Sequence, residues 1–460
     1  MSKMAEINTV VRRSEWNAVG DQSSRTPGLV RVGLWVLVAV YLVIGALYAV
    51  FTPVWQVPDE PAHYNYIRSL AEGHGLPVLE PGDYDQELMT ELTSRRFPPD
   101  LSVDSVEYGD HHPPLYYLLA TPVYILSGGR VVPLRLFSVV LGAVLLLVAF
   151  RVVRTIFPSQ PKFALAVAAF IAFIPQHLAI VAGINNDVLG ELVLGAILLV
   201  VVGTIVYQRD RPWLVGCLLG AALLTKTTAY IGLAAAVVAV VLRWRVERRS
   251  TRWAASQVGA MAVAALVLSA PWFLRNGLTY GWTDLSGLAR HEAVVVGQPR
   301  TSEWLSLYGW TGLISRFIQT TFRSFWGQFG WMGVVLPARI YQALALLSIV
   351  LVGGFLIWLA DRRRPRLSTA QRMALTTLLV SAVLTGLSYL WYNLTFVQHQ
   401  GRYLFPALIP ISVAAMLGLR RVTAWLPDWL QDSVTVLLFV GMALLSVYCL
   451  FMFIVPQLAG

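Results

Sequence analysis

Apolar runs recur along this sequence, and their lengths limit the fold more than any other local feature. A helix needs roughly 20 consecutive apolar residues to cross the hydrocarbon core of a bilayer. Backbone groups in lipid must find hydrogen-bond partners within the segment, which favours a helix. The runs predict an all-α polytopic membrane protein with about eleven transmembrane helices. They lie at residues 32–51, 132–150, 163–181, 188–207, 213–226, 229–242, 254–273, 338–359, 373–392, 403–419 and 433–456.

The composition agrees with a chain that largely avoids water. Of the 460 residues, 57% are hydrophobic and 13% are charged, whereas a soluble domain carries roughly 25% charged residues. Cys217 and Cys449 both lie inside apolar runs, which argues against a disulfide framework and a thiolate metal site. The short runs 213–226 and 229–242 are interpreted as two helices that meet at one face; one long bent helix is the alternative.

The distribution of charge predicts the orientation of the chain. Cytoplasmic loops of membrane proteins carry an excess of Lys and Arg. With the N-terminus inside, the inner segments hold 22 of the 35 basic residues and 8 of the 25 acids. They then carry a formal charge of +14 and the outer segments −4. The net charge of +10 therefore reflects topology and requires no nucleic acid partner. We expect a plasma (inner) membrane protein with its N-terminus inside and its C-terminus outside.

Two long outer segments are the expected location of the function. Residues 1–31 are predicted to form a mobile cytoplasmic N-terminus, and residues 32–456 a single transmembrane domain. The outer segments of that domain span residues 52–131 and 274–337, whereas the inner loops are short. Residues 114–126 are apolar but too short to span, so we expect them to form an interfacial helix.

The first outer segment opens with an acidic pair, Asp59-Glu60, which Pro61 and His63 follow. Pro61 suits the first position of a helix, and the plainer interpretation is that either carboxylate caps the free amides there. The functional interpretation is that a carboxylate at the membrane surface accepts a proton from an attacking hydroxyl. His63 lies four residues after Asp59, so both can face one way. Its imidazole could contact a phosphate, orient the base or bind a metal.

Several short motifs follow one another on the predicted outer face. They are Asp59-Glu60, His112-Pro113-Pro114-Leu115-Tyr116, Leu134-Arg135-Leu136, Asn185-Asn186-Asp187, Leu223-Leu224-Thr225-Lys226, Pro271-Trp272-Phe273-Leu274-Arg275-Asn276 and Gln400-Gly401-Arg402-Tyr403-Leu404-Phe405-Pro406. The order of these motifs resembles the GT-C superfamily of glycosyltransferases. The nearest resemblance is to the protein O-mannosyltransferases and the lipid A aminoarabinose transferases, over residues 32–420. The transferases of the second group have Lys-Pro-Pro where this chain has His112-Pro113-Pro114.

This resemblance implies a GT-C fold and a polyprenyl-phosphate sugar donor held at an extracytoplasmic active site. It implies that Asp59 is the general base, that Glu60 is a supporting acid or acceptor contact, and that Asp187 is a second acid. One-step displacement at the anomeric carbon would invert its configuration. No cofactor is then required, although a divalent metal is an alternative. The acceptor could be a glycan, a lipid or a protein.

The lipid phosphate would leave with growing negative charge, so fixed cations should lie near it. Lys226, Arg275 and Arg402, together with His63, are the candidates for contact with the donor phosphate. Lys226 interrupts an apolar stretch, and a charge at membrane depth is costly and usually functional. The plainer alternative is that its side chain snorkels to the interface. Arg275 and Arg402 stand at the ends of runs, where interfacial anchoring is the plainer role.

Further polar residues of the outer segments are candidates for contact with substrate or acceptor. The adjacent histidines could equally form an ordinary polar loop, and the aromatic-rich segment 321–332 could be an interfacial belt. The candidates are His111, His112, Tyr116, Asp187, Arg323, Gln398 and His399.

Three other functions compete with glycosyl transfer. A lipid-linked sugar flippase would use apolar cavities and basic outer residues, but transporters tend to show internal repeats and broken helices, and neither is clear in the sequence. A non-catalytic subunit with the GT-C fold would not need the intact Asp59-Glu60 pair. A polymerase or ligase that uses pyrophosphate-linked lipids is the third.

Overall fold

A computed structural model describes residues 27–362 and 366–459, so most of the predicted N-terminal segment 1–31 lies outside the described residues. Most of the described residues lie in helices. One antiparallel pair of two-residue strands, β1 (Gln328–Phe329) and β2 (Val334–Val335), interrupts the helices. Short 3-10 helices cover Thr227–Tyr230 and Gly401–Ala407, and a π-helical turn covers Leu450–Ile454. The α-helices are α1 (Gly28–Phe51), α2 (Glu60–Ala71), α3 (Gln86–Ser94), α4 (Leu115–Ser127), α5 (Val131–Ile156), α6 (Pro161–Ala172), α7 (Pro175–Val181), α8 (Asp187–Tyr207), α9 (Pro212–Leu223), α10 (Ile231–Val246), α11 (Thr251–Tyr280), α12 (Leu288–Val294), α13 (Thr301–Trp326), α14 (Ala338–Ala360), α15 (Thr369–Thr395), α16 (Leu408–Thr423), α17 (Asp428–Cys449) and α18 (Val455–Leu458).

The predicted all-α membrane architecture is confirmed, but the count of eleven spans is not. In the described part of the chain, nine helices are long and apolar enough to cross a membrane. The predicted run 163–181 forms α6 and α7, which are bent by 68°. Pro175 explains the break, because a proline disfavours helical conformation in the residue before it. The run 213–226 forms α9, whose 12 residues reach about 18 Å, less than the hydrocarbon thickness of about 30 Å.

The apolar runs divide into central and peripheral helices. In α8, 67% of the most apolar window is buried against protein, and in α5 56%. In α14 the corresponding share is 17%. A spanning helix that leaves most of its apolar surface uncovered must face lipid tails, so α5 and α8 form the centre and α14 the periphery.

Loops that the charge pattern assigns to one face do contact one another. On the predicted inner face, Lys162 pairs with Asp432. On the opposite face, the indole of Trp331 donates to the carbonyl of Trp55 at 2.9 Å and joins the two long outer segments. Leu458 near the C-terminus packs beside Gly330 of the same segment. The two long segments and the C-terminal end therefore share one face.

Two glycines bring α14 and α16 into backbone contact. A Cβ atom on Gly354 would collide with the carbonyl oxygen of Gly418, and one on Gly418 would collide with the carbonyl oxygen of Leu351. Small residues at a helix crossing in a membrane let the backbones approach and gain packing contacts. This crossing sets the distance between two helices that line an apolar cavity.

Adding a methyl group at this crossing should separate α14 from α16. We expect Gly354→Ala to destabilise the protein by about 1–3 kcal/mol, as overpacking does elsewhere. Gly353→Ala is the matched control, because a Cβ at that position meets no atom within 4 Å. Thermal melting of both variants in one detergent measures the difference. Equal melting temperatures would contradict the proposed close crossing.

Candidate active site at the outer face

Asp59 stands immediately before α2, in an unusual backbone conformation. Its φ angle is 69°, in the left-handed region. A non-glycine residue in such a region costs about 1–3 kcal/mol and persists only where surrounding contacts hold it. Its side chain makes no hydrogen bond to the free amides of α2. The plainer interpretation, a side-chain cap, does not hold for Asp59, because this conformation leaves the carboxylate to other partners.

Those partners are an arginine and a tyrosine from distant parts of the chain. One carboxylate oxygen of Asp59 accepts a hydrogen bond from Arg402 at 2.7 Å, and the other accepts one from the hydroxyl of Tyr108 at 2.8 Å. Burial would raise the pKa of Asp59, but the charge of Arg402 and these hydrogen bonds lower it to about 2. The side chain is 32% exposed. Asp59 is therefore an accessible, ionised carboxylate at neutral pH.

Glu60 points the other way and forms a buried ion pair with Arg135. Two nitrogens of the guanidinium donate to its two oxygens at 2.7 and 2.6 Å, and both side chains are at most 1% exposed. The backbone amides of Ile184 and Trp55 donate to the same carboxylate at 3.2 and 3.1 Å. Each oxygen of Glu60 thus already accepts two hydrogen bonds. This arrangement gives Glu60 a structural role in place of the predicted acid or acceptor contact.

A second carboxylate–cation pair lies at the start of α8. The ammonium group of Lys226 donates to Asp187 at 2.6 Å, and the two side chains are 17% and 24% exposed. Lys226 lies between α9 and α10, at the break that follows the short helix α9. The sequence assigns Lys226 to the donor phosphate and Asp187 to substrate or acceptor, and the structure places the two side chains in contact.

His63 joins the two pairs into one group. Its imidazole interacts electrostatically with Lys226, Asp59, Asp187 and Arg402. Burial and the charge of Lys226 lower the pKa of His63 to about 4, so the ring is neutral at neutral pH. We call these five residues the outer cluster. Its two cations and two carboxylates balance, so its formal charge is zero.

Three further histidines extend from His63. His112 stacks on it with ring centroids 5.7 Å apart, His111 lies 4.2 Å from His112, and His291 of α12 lies 4.5 Å from His111. Burial lowers the pKa of His111 to about 3, and it lowers the pKa values of His112 and His291 as well. Within the described ranges, no three His, Cys, Asp or Glu side chains are arranged to share a metal ion.

Two residues predicted to contact substrate or phosphate lie apart from the outer cluster. The hydroxyl of Tyr116 is fully buried and bonds Ser138 at 2.8 Å. The guanidinium of Arg275 donates to the carbonyls of Leu76 and Pro77 and stacks on aromatic rings. Both side chains hold neighbouring segments together.

The predicted residues of the last outer segments also lie elsewhere. Arg323 stands over the ring of Tyr341, 5.3 Å from its centroid. Gln398 accepts from the side chain of Gln400 at 2.8 Å. His399 is 5% exposed and packs against aromatic side chains of α13. Of the predicted residues in these segments, Arg402 is the one that the structure brings to the outer cluster.

An apolar cavity of about 540 Å³ lies between α13, α14 and α16. Leu404 belongs both to its lining and to the short 3-10 helix that carries Arg402. The cavity lining therefore includes a residue only two positions along the chain from Arg402 of the outer cluster. Other lining residues are Phe317, Phe322, Phe325, Leu351 and Phe355.

The sequence prediction omitted two residues that hold the catalytic candidate in place. Arg135 stands in one of the predicted motifs without an assigned role. A lone charge near the start of a long apolar run is itself an indication of a functional or structural role. Tyr108 gave no signal, because it lies in an irregular loop 49 residues from its partner Asp59.

Breaking the buried ion pair should be far more costly than breaking an exposed one. Glu60→Gln would leave Arg135 charged and buried without a counter-ion, so we expect a loss of about 3–5 kcal/mol of stability. Asp432→Asn, which breaks an exposed pair with Lys162, should have little effect. Thermal melting in detergent compares the two, and equal losses would contradict a structural role for Glu60.

Comparison with known proteins supports the resemblance noted in the sequence. Residues 111–274 match a family model described as dolichyl-phosphate-mannose-protein mannosyltransferase. The matched segment includes Asp187 and Lys226 but neither Asp59 nor Arg402. A search of curated proteins finds no match.

Two solved structures are similar to this chain over most of its length. The Archaeoglobus fulgidus oligosaccharyltransferase, crystallised with a tethered acceptor peptide, aligns with a TM-score of 0.50 at 14% identity. The alignment covers 92% of this chain and 55% of that one. ArnT from Cupriavidus metallidurans, bound to undecaprenyl phosphate, aligns with a TM-score of 0.49 at 15% identity, covering 95% and 74%. This chain spans about half the length of the archaeal enzyme. The expected GT-C fold is confirmed.

Proposed function

We propose that this protein, whose fold and family signature are those of GT-C membrane glycosyltransferases, transfers a sugar from a polyprenyl-phosphate donor to an acceptor hydroxyl. The transfer would occur on the extracytoplasmic face and invert the anomeric centre. The observation that carries the proposal is the outer cluster, in which an accessible carboxylate and two cations meet beside an apolar cavity.

A lipid-linked donor fits this combination of surfaces. The description of the matched family names a dolichyl-phosphate sugar as the donor. The apolar cavity offers a place for the prenyl chain, and Arg402 and Lys226 offer cations to the phosphate. Fixed cations stabilise the charge that grows on a leaving phosphate, more so where water is scarce. The guanidinium of Arg402 also suits the forked geometry of phosphate oxygens.

The proposed reaction is a single displacement. The acceptor hydroxyl oxygen forms a bond to the anomeric carbon while the bond from that carbon to the phosphate oxygen breaks. The hydroxyl proton moves to Asp59, and the lipid phosphate leaves with the bonding electrons. A phosphate that draws Arg402 away from Asp59 would raise the pKa of this carboxylate and make it a better base. Binding of the donor would thus prepare the base for the acceptor.

Loss of the base should abolish transfer without loss of the fold. We expect Asp59→Asn to reduce transfer at least 100-fold, as removal of a general base does, while donor binding persists. Asp104→Asn is the control, because Asp104 pairs with Arg68 at the exposed surface of the same loop. The assay follows radiolabel from a panel of polyprenyl-phosphate sugars to a membrane extract, with purified protein in lipid.

Two results of this assay would contradict the proposal. Undiminished transfer by Asp59→Asn would remove Asp59 from the chemistry. Labelled lipid that crosses the bilayer of liposomes without any transfer would identify a flippase instead.

The pH dependence should reveal the control of Asp59 by Arg402. Transfer needs the carboxylate ionised, so activity is present above its pKa and falls below it. With the pKa of Asp59 near 2 in the donor-free protein, kcat/KM of the wild type for the donor should show no acid limb above pH 4. Arg402→Gln removes the lowering charge and leaves burial, which raises the pKa. We expect the acid limb to move above the ordinary value of 3.8. An unmoved limb in the pH profile of kcat/KM for the donor, which reports the donor-free protein, would contradict this pairing.

A further inference from the structure

His63 is held by a buried tyrosine hydroxyl. Its Nδ1 atom lies 2.8 Å from the hydroxyl oxygen of Tyr117 on α4. His63 is 3% exposed and Tyr117 is fully buried. Both groups are neutral and buried from water, so one of them must donate this hydrogen bond and the other must accept it. The direction of this bond therefore decides which nitrogen of His63 carries the hydrogen.

Asn186 settles that direction. Its amide nitrogen lies 3.4 Å from the hydroxyl oxygen of Tyr117 and 3.5 Å from the carbonyl oxygen of Thr225. A carbonyl oxygen only accepts, so the side of the amide that faces both oxygens is the NH2 group. The hydroxyl oxygen of Tyr117 thus accepts from Asn186, and its own hydrogen is available to His63. If His63 donated instead, that hydrogen would have no acceptor among the described residues.

The consequence is a defined tautomer of His63. An imidazole that accepts at Nδ1 and is neutral carries its hydrogen on Nε2. Within the described part of the chain, Nε2 has no hydrogen-bond partner. The ring interacts with all four charged members of the outer cluster, so this N–H belongs to the group of side chains that we assign to ligand binding.

The supporting residues are themselves firmly placed. The ring of Tyr66 stacks on that of Tyr117 with centroids 3.7 Å apart and an 8° angle between planes. Asn186 is fully buried at the start of α8, next to Asp187 of the outer cluster. Neither Tyr117 nor Asn186 can turn without breaking these packing contacts. The tautomer of His63 is therefore built into the junction of α2, α4 and α8.

We propose that Tyr117 and Asn186 are positioning residues that fix His63 as a neutral Nε2–H donor to a phosphate oxygen of the lipid donor. The identity of the ligand in this proposal rests on the proposed function. Both cations of the outer cluster already face carboxylates, so a neutral donor adds a hydrogen bond without a further charge. Such a bond strengthens as negative charge grows on the leaving phosphate, which favours the transition state over the bound donor.

The tautomer can be read without any ligand. Nitrogen NMR of protein with labelled histidine distinguishes Nδ1 from Nε2 protonation, and the difference spectrum with His63→Gln assigns the signal. We expect a single Nε2–H form in the wild type and a mixture of both tautomers in Tyr117→Phe. An Nδ1–H form in the wild type, or an unchanged spectrum in Tyr117→Phe, would overturn the proposal.

The ligand is tested by the binding of polyprenyl phosphate, followed by tryptophan fluorescence in detergent. We expect Tyr117→Phe to weaken binding by the fraction of His63 that no longer carries the hydrogen on Nε2, roughly twofold for an equal mixture of tautomers. His63→Gln should weaken binding on the order of tenfold, the worth of one hydrogen bond to a charged group. In a His63→Gln background Tyr117→Phe should change nothing further. Tyr48→Phe is the control, since it removes a buried hydrogen bond, to the carbonyl of Ser446, that involves no member of the outer cluster.

The outcomes separate the two proposals. Additive losses in the double variant would show that Tyr117 acts independently of His63 and would overturn the positioning role. If the wild type binds no polyprenyl phosphate, the donor named in the proposed function is wrong and so is the ligand of His63. The tautomer measurement would still test the positioning of His63, because the tautomer depends only on Tyr117 and Asn186.

Discussion

The buried ion pair between Glu60 and Arg135 is the interaction on which the outer face depends. Two charges taken out of water carry a large desolvation cost, which only well-aligned hydrogen bonds offset. Here the amide of Ile184 joins the carboxylate, and three backbone carbonyls near the end of α1 join the guanidinium. The pair therefore fixes α1, α2, α5 and the loop before α8 relative to one another. Asp59 directly precedes Glu60 in the sequence, and Asp187 follows Ile184 by three residues.

This framework explains why neighbouring acids of one motif have different roles. Glu60 is buried and fully bonded, so it can hold structure but cannot exchange protons with a substrate. Asp59 is partly exposed, and its bonds to Arg402 and Tyr108 can be exchanged for others. A balanced cluster keeps the site stable while it is empty. An arriving phosphate can compete for the cations and release a carboxylate, which couples donor binding to base strength.

The sequence predicted the parts of this picture that depend on local patterns. Apolar length indicated the spans, and the acidic pair and Lys226 stood out as charges beside apolar runs. Local patterns could not show that Pro175 bends a span or that Arg275 bonds loop carbonyls. Tyr108 and Arg402 reach Asp59 across 49 and 343 residues, and only the packed helices bring such positions together. For the same reason, the sequence alone does not predict the contact between Tyr117 and His63.

A cryo-EM structure of the protein in lipid nanodiscs with bound polyprenyl phosphate tests the central claim most directly. The account predicts that the phosphate lies between Lys226 and Arg402, with its oxygens in hydrogen-bond contact with both. It also predicts that the prenyl chain lies in the cavity between α13, α14 and α16, and that Arg402 has moved from Asp59. A phosphate bound at Arg275 or Arg323, with the outer cluster unchanged, would contradict it.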